Sequence, residues 1–352
     1  MSNPRLSVIV PAHDSTSVLE RVLAAIHASD LPRGEWELIV VDDASRDDTA
    51  AMAERQADRV IRLMAPAGGP ANARNRGVAV ARGDWLVFID ADVVIHADTL
   101  SGFTRVIDSE PGLVAVFGAY DEHPPAPGFL SQYRNLLHRY VHLVGAGEAD
   151  TFWSGCGAVQ RAAFDAVGGF DATRFPRPQI EDIELGYRLR QHGGRIRLAP
   201  EVQGAHLKVW RYTGSLRTDV VDRGVPWVRL LLERGALGAS ATLNLKRGER
   251  LKAVVTTVAA VLLVAGLLLL DSRALGLSVA LLGGIAFTAH RQLTWFAARR
   301  GWAFALATIP FIWQYYLVSA ACVAIGLVQH VAAGSPTGGT IRHPSPSKER
   351  PA

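Results

Sequence analysis

From Ala253 to Val328 the chain is dominated by three apolar runs, Ala253–Leu270, Ala274–Ala289 and Ala303–Val328. No other feature restricts the fold as tightly. A segment in lipid must satisfy every backbone N–H and C=O within the protein, which leaves helices or closed barrels. The first run holds 18 uncharged residues, about 27 Å as a helix and close to the hydrocarbon thickness of a bilayer. The second is slightly short, and a buried soluble helix is its alternative reading. The third contains Pro310 and Gln314. Lys246, Arg247, Arg250 and Lys252 precede the first run, and Arg291, Arg299 and Arg300 separate the second from the third. The break Asp271-Ser272-Arg273 carries no net charge. Positive charge stays on the cytoplasmic side, so three spans place the N-terminal residues in the cytoplasm and the tail from about Gly334 outside.

The remainder divides by composition. Residues 1–212 read as a soluble α/β domain, 213–250 as an amphipathic segment at the membrane surface, 251–330 as about three membrane helices and 331–352 as a disordered tail. The net charge of +4 is not gathered into a continuous basic block, which argues against nucleic acid as a partner. Cys156 and Cys322 lie in different parts of the chain, so no disulfide is expected and a reducing compartment fits. The start, Met-Ser-Asn-Pro-Arg, leads straight into a strand pattern without a signal-peptide signature.

In the first 90 residues buried-strand runs alternate with amphipathic helices. Leu6–Val10, Trp36–Val41, Val60–Leu63 and Trp85–Ile89 are the strands; Val18–Ala28, a segment from Ser45 to about Ala57, and Ala71–Ala81 are the helices. This alternation predicts a Rossmann-like, mostly parallel sheet with helices on both faces. Three strand ends carry polar groups: His13-Asp14, Asp42-Asp43, and Asp90 with Asp92. In a parallel sheet these ends point the same way and line one cleft, where ligands bind. Asp90 and Asp92 together suit a hard divalent cation that also binds phosphate oxygens, although a solvated turn would look the same. Neither G-x-G-x-x-G nor G-x-x-x-x-G-K-[ST] is present, so phosphate must be handled by metal and arginine.

The segments Ser7-Val-Ile-Val-Pro-Ala-His13, Val41-Asp-Asp-Ala-Ser45 with Asp48-Thr49, Ala73-Arg-Asn-Arg-Gly77 and Asp90-Ala-Asp92 occur in that order. Together they resemble the family 2 glycosyltransferases of GT-A fold, over roughly residues 5–210. The resemblance implies a nucleotide-sugar donor and Mn²⁺ or Mg²⁺. It implies that Pro11, Ala12, His13 and Asp43 contact the nucleotide base and that Arg74 lies near the diphosphate. Asp90 and Asp92 would then handle ribose, metal and phosphates. A carboxylate such as Asp43 can accept from the ring N–H of uracil or guanine, and His13 can stack on a base. Helix capping is the alternative for Asp43, and a surface ion pair the alternative for Arg74.

Further on, Phe129–Val144 has an apolar face, and its polar face reads as solvated; the helix suits a membrane surface or a lid over an acceptor groove. His138 and His142 stand at a metal-ligand spacing but lack a third ligand. Phe152-Trp-Ser-Gly-Cys-Gly-Ala158 combines glycines with an aromatic, so Gly155 lets backbone approach a ligand and Trp153 either packs on a sugar ring or joins the core. The acidic pair Glu181-Asp182 opening a helix is similar to the acceptor-side segment of the same family. There the residue matching Asp182 is the catalytic base, while the helix dipole alone would also favour a carboxylate at that place. Arg195–Leu198 reads as a strand followed by an Ala199-Pro200 turn and then His206. In some GT-A enzymes a histidine near here completes the metal shell; the alternative is a hydrogen-bonded loop histidine.

These features predict a membrane-anchored, inverting, metal-dependent glycosyltransferase of the cytoplasmic membrane, moving a sugar from a UDP- or GDP-sugar to a hydroxyl of a membrane-associated lipid or glycan. A polyprenyl-phosphate acceptor, a non-catalytic nucleotide-sugar-binding subunit and nucleotidyl transfer are the competing readings. Turnover separates them, since nucleoside diphosphate release marks the first and pyrophosphate release the last.

Overall fold

The structure is a computed structural model and describes residues 3–235 and 247–332. The expected tail therefore falls almost wholly outside the described residues, as does Lys246. The chain begins β1 (Leu6–Ala12), α1 (Thr16–His27), β2 (Trp36–Asp42), α2 (Thr49–Ala53), β3 (Arg59–Arg62), α3 (Gly69–Val80) and β4 (Trp85–Ile89). β5 (Val93–Ile95), α4 (Thr99–Ser109), β6 (Leu113–Tyr120), α5 (Phe129–Val144), β7 (Gly147–Ala149), β8 (Cys156–Gln160) and α6 (Arg161–Ala166) follow. Then come α7 (Glu181–Gln191), β9 (Arg195–His206), α8 (Tyr212–Arg217), a π-helical turn Thr218–Gly224 and α9 (Val225–Glu233). α10 (Arg247–Leu269), α11 (Ser272–Thr288), α12 (His290–Ala307) and α13 (Ile309–Ala332) complete the chain.

The strands form one sheet in the order β3-β2-β1-β4-β8-β6-β9-β5, with β7 paired to β9. β3, β2, β1 and β4 are parallel, as the βα alternation predicts. Beyond β4 the sheet is mixed, because β8 runs antiparallel to both β4 and β6. Every residue of β2 and β4 is buried, so both faces of the sheet are covered. Alternate side chains divide between two apolar layers. Val8, Val10, Val87 and Ile89 join Leu23 and Phe103 on one side. Ile9, Leu86 and Phe88 join Phe164, Phe170 and Leu185 on the other.

The sequence reading missed β5, β7 and β8. Cys156-Gly-Ala-Val-Gln160 lacks the β-branched run of a strand. It needs small residues: a Cβ on Gly157 would stand 2.4 Å from the Trp153 carbonyl oxygen and 2.6 Å from the Phe152 ring. Gly157→Ala is therefore expected to cost about 1–3 kcal/mol, read as a lowered denaturation midpoint of the full chain in detergent. The Ala199-Pro200 turn is also corrected. β9 continues through it to His206, with the β6 register shifting between Phe117 and Ala119 to absorb the irregularity.

α5 differs from the sequence reading on one face. Its polar side is turned onto the sheet and not into water: His142 Nδ1 lies 2.9 Å from the Gly118 carbonyl, Arg139 donates to the Pro200 carbonyl at 2.5 Å, and His138 packs on Tyr120 and Trp153. His138 and His142 are thus packing residues, and burial pushes both imidazoles below their usual pKa, His142 to about 4. The apolar face of α5 meets the C-terminal helices, where Tyr133 and Leu136 pack with Phe296, Phe304 and Phe311.

Two helices, Gly248–Leu269 and Ile309–Ala332, are long and apolar enough to cross a membrane, and the pair Ser272–Thr288 and His290–Ala307, bent by 66°, makes a third candidate. α10 and α11 form a hairpin whose tip, Leu268–Leu270, is strongly exposed. α12 breaks at Gly301, which has φ +81°. Just before the break, Arg299 forms a bidentate pair with Glu122, and Arg300 donates to Gln132 and the Glu122 carbonyl. α13 lies along α8, the π-turn and α9: Tyr212 Oη donates to Gln314 at 2.8 Å, and a Cβ on Gly326 would stand 2.6 Å from Val228. α9 in turn packs Leu230 and Leu231 on Phe175, Ile180 and Tyr187 beside and on α7. α9 is thus packed between α7 and α13.

Candidate active site

The carboxyl ends of β1, β2 and β4 and the start of β8 meet at one edge of the sheet. Ile89 pairs with Cys156, which brings Gly155 beside Asp90, and the Asp90 N–H donates to the Gly155 carbonyl at 3.1 Å. A Cβ on Gly155 would fall 2.5 Å from the Trp153 ring, so only glycine lets that ring lie there. Trp153 stands edge-on to Tyr120 at 4.9 Å and against His138 at 4.6 Å. It therefore forms the wall behind the site.

Arg74 was expected beside a diphosphate. Its guanidinium is enclosed, with its side chain 4% exposed, donating to Asp90 Oδ1 at 2.7 Å and to Glu181 Oε1 at 3.0 Å. The second oxygen of Glu181 accepts from the Gln179 N–H. Arg74 thus ties the end of β4 to the first residue of α7, and Glu181 serves that tie. A buried arginine paired with two carboxylates fixes their separation, and removing one partner would leave a costly buried charge.

The tie places Asp182. Its Oδ2 accepts from the Ser154 N–H at 3.1 Å and lies 3.3 Å from Ser154 Oγ, and its Oδ1 accepts from the Ile183 N–H at 2.8 Å. Burial and the charge of Glu181 push its carboxyl up to about 6, against the pull of these N–H groups and of Arg74. Burial likewise raises Asp90, with Asp92 adding repulsion against the attraction of Arg74.

Asp92 and His206 face each other. Val93 pairs with His206 across β5 and β9, and His206 Nε2 lies 3.3 Å from Asp92 Oδ2. Burial works against the Asp92 charge, but His206 and Lys208 pull its carboxyl below the usual range. The Asp92 side chain is 35% exposed and that of His206 7%, so the carboxylate reaches the cleft while the imidazole is enclosed. Tyr120 stacks on the His206 ring at 4.4 Å. Two ligands at about 2.1 Å from an octahedral ion and at right angles stand about 3 Å apart, so this pair fits a small divalent cation. Among the described residues no group of three or more His, Cys, Asp and Glu side chains converges on one point. A Mg²⁺- or Mn²⁺-type ion draws its remaining ligands from substrate phosphates and water, so two protein ligands suffice.

At the far side of the cleft, Asp43 is buried and its two oxygens accept from the Gly68 and Gly69 N–H groups at 2.9 and 2.7 Å. It anchors the start of α3, and each oxygen retains a second lone pair. Asp43 also positions His13, whose Nδ1 lies 2.7 Å from the Asp43 carbonyl, with the ring exposed beside Pro11 and Ala12. Asp14, at φ +47°, pairs with Arg46 and is a loop brace. Sequence reasoning missed Tyr120, Ser154 and Asn135; only the glycine-rich Phe152–Ala158 stretch hinted at the second.

Comparison with known proteins adds to this geometry. Residues 7–168 match the model of the family described as Glycosyl transferase family 2. The poly(ribitol-phosphate) beta-N-acetylglucosaminyltransferase of Staphylococcus aureus is 33% identical over 108 residues, 30% of this chain and 19% of that protein. The pre-mycofactocin glycosyltransferase of Mycobacterium tuberculosis is 27% identical over 278 residues, 73% of this chain and 56% of the relative. The matches thus span between a fifth and just over half of these relatives' lengths. In fold, the chain is similar to a mannosyltransferase from Pyrobaculum calidifontis solved with GDP-Man and Mn²⁺, with a TM-score of 0.56, 21% identity and coverage of 92% and 88% of the two chains.

Proposed function

From the match of residues 7–168 to the glycosyl transferase family 2 model, we propose that the chain is a membrane-anchored, inverting glycosyltransferase. It transfers a sugar from a UDP- or GDP-sugar to a hydroxyl of a membrane-associated lipid or glycan. The observation that carries this reading is the Arg74 bridge, which sets a half-buried carboxylate with a pKa of about 6, Asp182, across from the Asp90 and Asp92 strand end. The state with GDP-Man and Mn²⁺ in which the Pyrobaculum calidifontis neighbour was solved supports a nucleotide-sugar donor and a divalent ion.

Asp92 and His206 would hold that ion, with Asp90 beside them. When bound, it supplies a Lewis acid that stabilises the charge of the departing nucleoside diphosphate. Pro11, Ala12, His13 and Asp43 border the base subsite. Asp182 takes the proton from the acceptor hydroxyl as the oxygen bonds to C1 of the sugar and the C1–O bond to the diphosphate breaks. The Ser154 and Ile183 N–H groups aim that carboxylate. The test uses the full chain in detergent with UDP- and GDP-sugars and Mn²⁺. Nucleoside diphosphate release that EDTA abolishes is expected; pyrophosphate release, or none with any donor, would reject the reading.

The α10–α11 hairpin crosses the bilayer and returns, because α12, which follows it, is fastened at its middle by Arg299 and Arg300 to the catalytic domain. A cysteine placed at Ser272 should be labelled by an impermeant thiol reagent from the side opposite the catalytic domain, given that the native Cys156 and Cys322 are free and buried. Labelling from the catalytic side would mean that α10 does not cross.

A further inference from the structure

His206 is held at three points, and one of them has no place in the site described so far. Its Nδ1 lies 2.8 Å from Asn135 Oδ1, and Asn135 is 1% exposed. An amide oxygen only accepts, so Nδ1 carries the hydrogen. A neutral imidazole then presents a lone pair at Nε2, and that lone pair faces the Asp92 carboxylate at 3.3 Å. Two lone-pair groups so placed repel unless a proton or a metal cation lies between them. The reversed amide would donate to Nδ1, move the hydrogen to Nε2 and fill that gap with a proton. The Asn135 Nδ2 has no partner in the buried interior, a cost of about 1–3 kcal/mol for an unsatisfied donor. The oxygen, and not the amide nitrogen, faces His206.

We propose that Asn135 is a positioning residue that fixes His206 in the Nδ1–H tautomer and so makes its Nε2 a ligand for the divalent cation shared with Asp92. The inference rests on the reading of His206 as a metal ligand. The hydrogen-bonded partner of a metal-binding histidine orients the ring, sets the tautomer and raises its basicity. Tyr120, stacked on His206 at 4.4 Å, restricts the ring's tilt and leaves its in-plane rotation to Asn135. Asn135 also lies on α5, whose far face rests on α12 and α13. The aim of the ligand is therefore set by the element that joins the catalytic domain to the apolar helices.

The test is Mn²⁺ uptake by the full chain in detergent at pH 8, followed by the EPR signal of free Mn²⁺ with UDP or GDP present. Asn135→Leu, with the same branching but unable to accept, should weaken Mn²⁺ binding about 10–100-fold. Asn135→Asp, which can only accept, should bind Mn²⁺ at least as tightly as wild type. His206→Ala should weaken binding at least as much as Asn135→Leu. Loss of binding in Asn135→Asp as severe as in Asn135→Leu would show a packing role only and overturn the proposal. Unchanged binding in Asn135→Leu beside a loss in His206→Ala would also overturn it, leaving His206 as a ligand. Unchanged binding in His206→Ala, or no uptake by wild type, would remove the metal reading and the proposal together.

Discussion

Asp182→Asn is expected to leave donor binding intact and to lower sugar transfer by about 10²–10⁴-fold. Asparagine keeps the size of aspartate, and its Oδ1 can still accept from the Ser154 or Ile183 N–H, so the start of α7 should persist. What it loses is the ability to take a proton. The pH dependence follows from the carboxyl being pushed up to about 6. Transfer by the wild type should rise with pH through about 6 and then level, because only the carboxylate is a base. Stability should move the other way. The folded pKa lies above the unfolded value near 3.8, so between about pH 4 and 6 the folded state holds a proton that the unfolded state has released. Stability therefore falls as pH rises through that window. Asp182→Asn should lack this decline and be at least as stable as wild type above pH 6. A helix-start role alone predicts the opposite pattern, near-normal transfer by a folded variant. That outcome would remove the hydroxyl-acceptor mechanism and favour an acceptor that is already anionic, such as a lipid phosphate.

The parts of this architecture that could be read from sequence are those set by local pattern. Trp85–Ile89 is a strand with the predicted bounds because five consecutive apolar residues buried on both faces leave little alternative. Phe129–Val144 is likewise a helix with the predicted bounds. Its orientation was not legible. Asn135, His138, Arg139 and His142 form a polar stripe at i, i+3, i+4 and i+7 that looks solvated when the helix is considered alone. The structure buries both faces, one on the sheet and one on the C-terminal helices, and only that context turns Asn135 towards His206. The setting of Arg74 was not legible for a similar reason. Its separation of 107 residues from Glu181 hides the bridge that encloses it. β8 could not be seen because Gly157 within it and Gly155 just before it answer to the rings of Phe152 and Trp153, a packing demand that leaves no periodicity.

Asp92→Ala should abolish the Mn²⁺-dependent part of donor binding and lower transfer by about 10²–10³-fold or more, with the fold retained. Asp92 follows β4 and its side chain is 35% exposed, so truncation opens no cavity in the apolar layers. Its charge is drawn below the usual carboxylate pKa by His206 and Lys208. With the folded pKa depressed, whatever stability this pairing contributes is present above the unfolded value near 3.8 and disappears as pH falls through the folded pKa. At neutral pH the variant should therefore be slightly less stable than wild type, and the two should converge in acid. Calorimetry separates the metal role from this pairing. Wild-type donor affinity should rise on adding Mn²⁺ and fall back with EDTA, while Asp92→Ala should show the low value in both conditions. Asp90→Asn offers a contrast, because Asp90 is committed to Arg74 at 2.7 Å. It should lose activity at every Mn²⁺ concentration, since Arg74 would keep one carboxylate partner where it had two. If Asp92→Ala bound donor and Mn²⁺ as tightly as wild type, the cation would have to be held elsewhere, and the 3.3 Å approach of Asp92 to His206 would be an ion pair and nothing more.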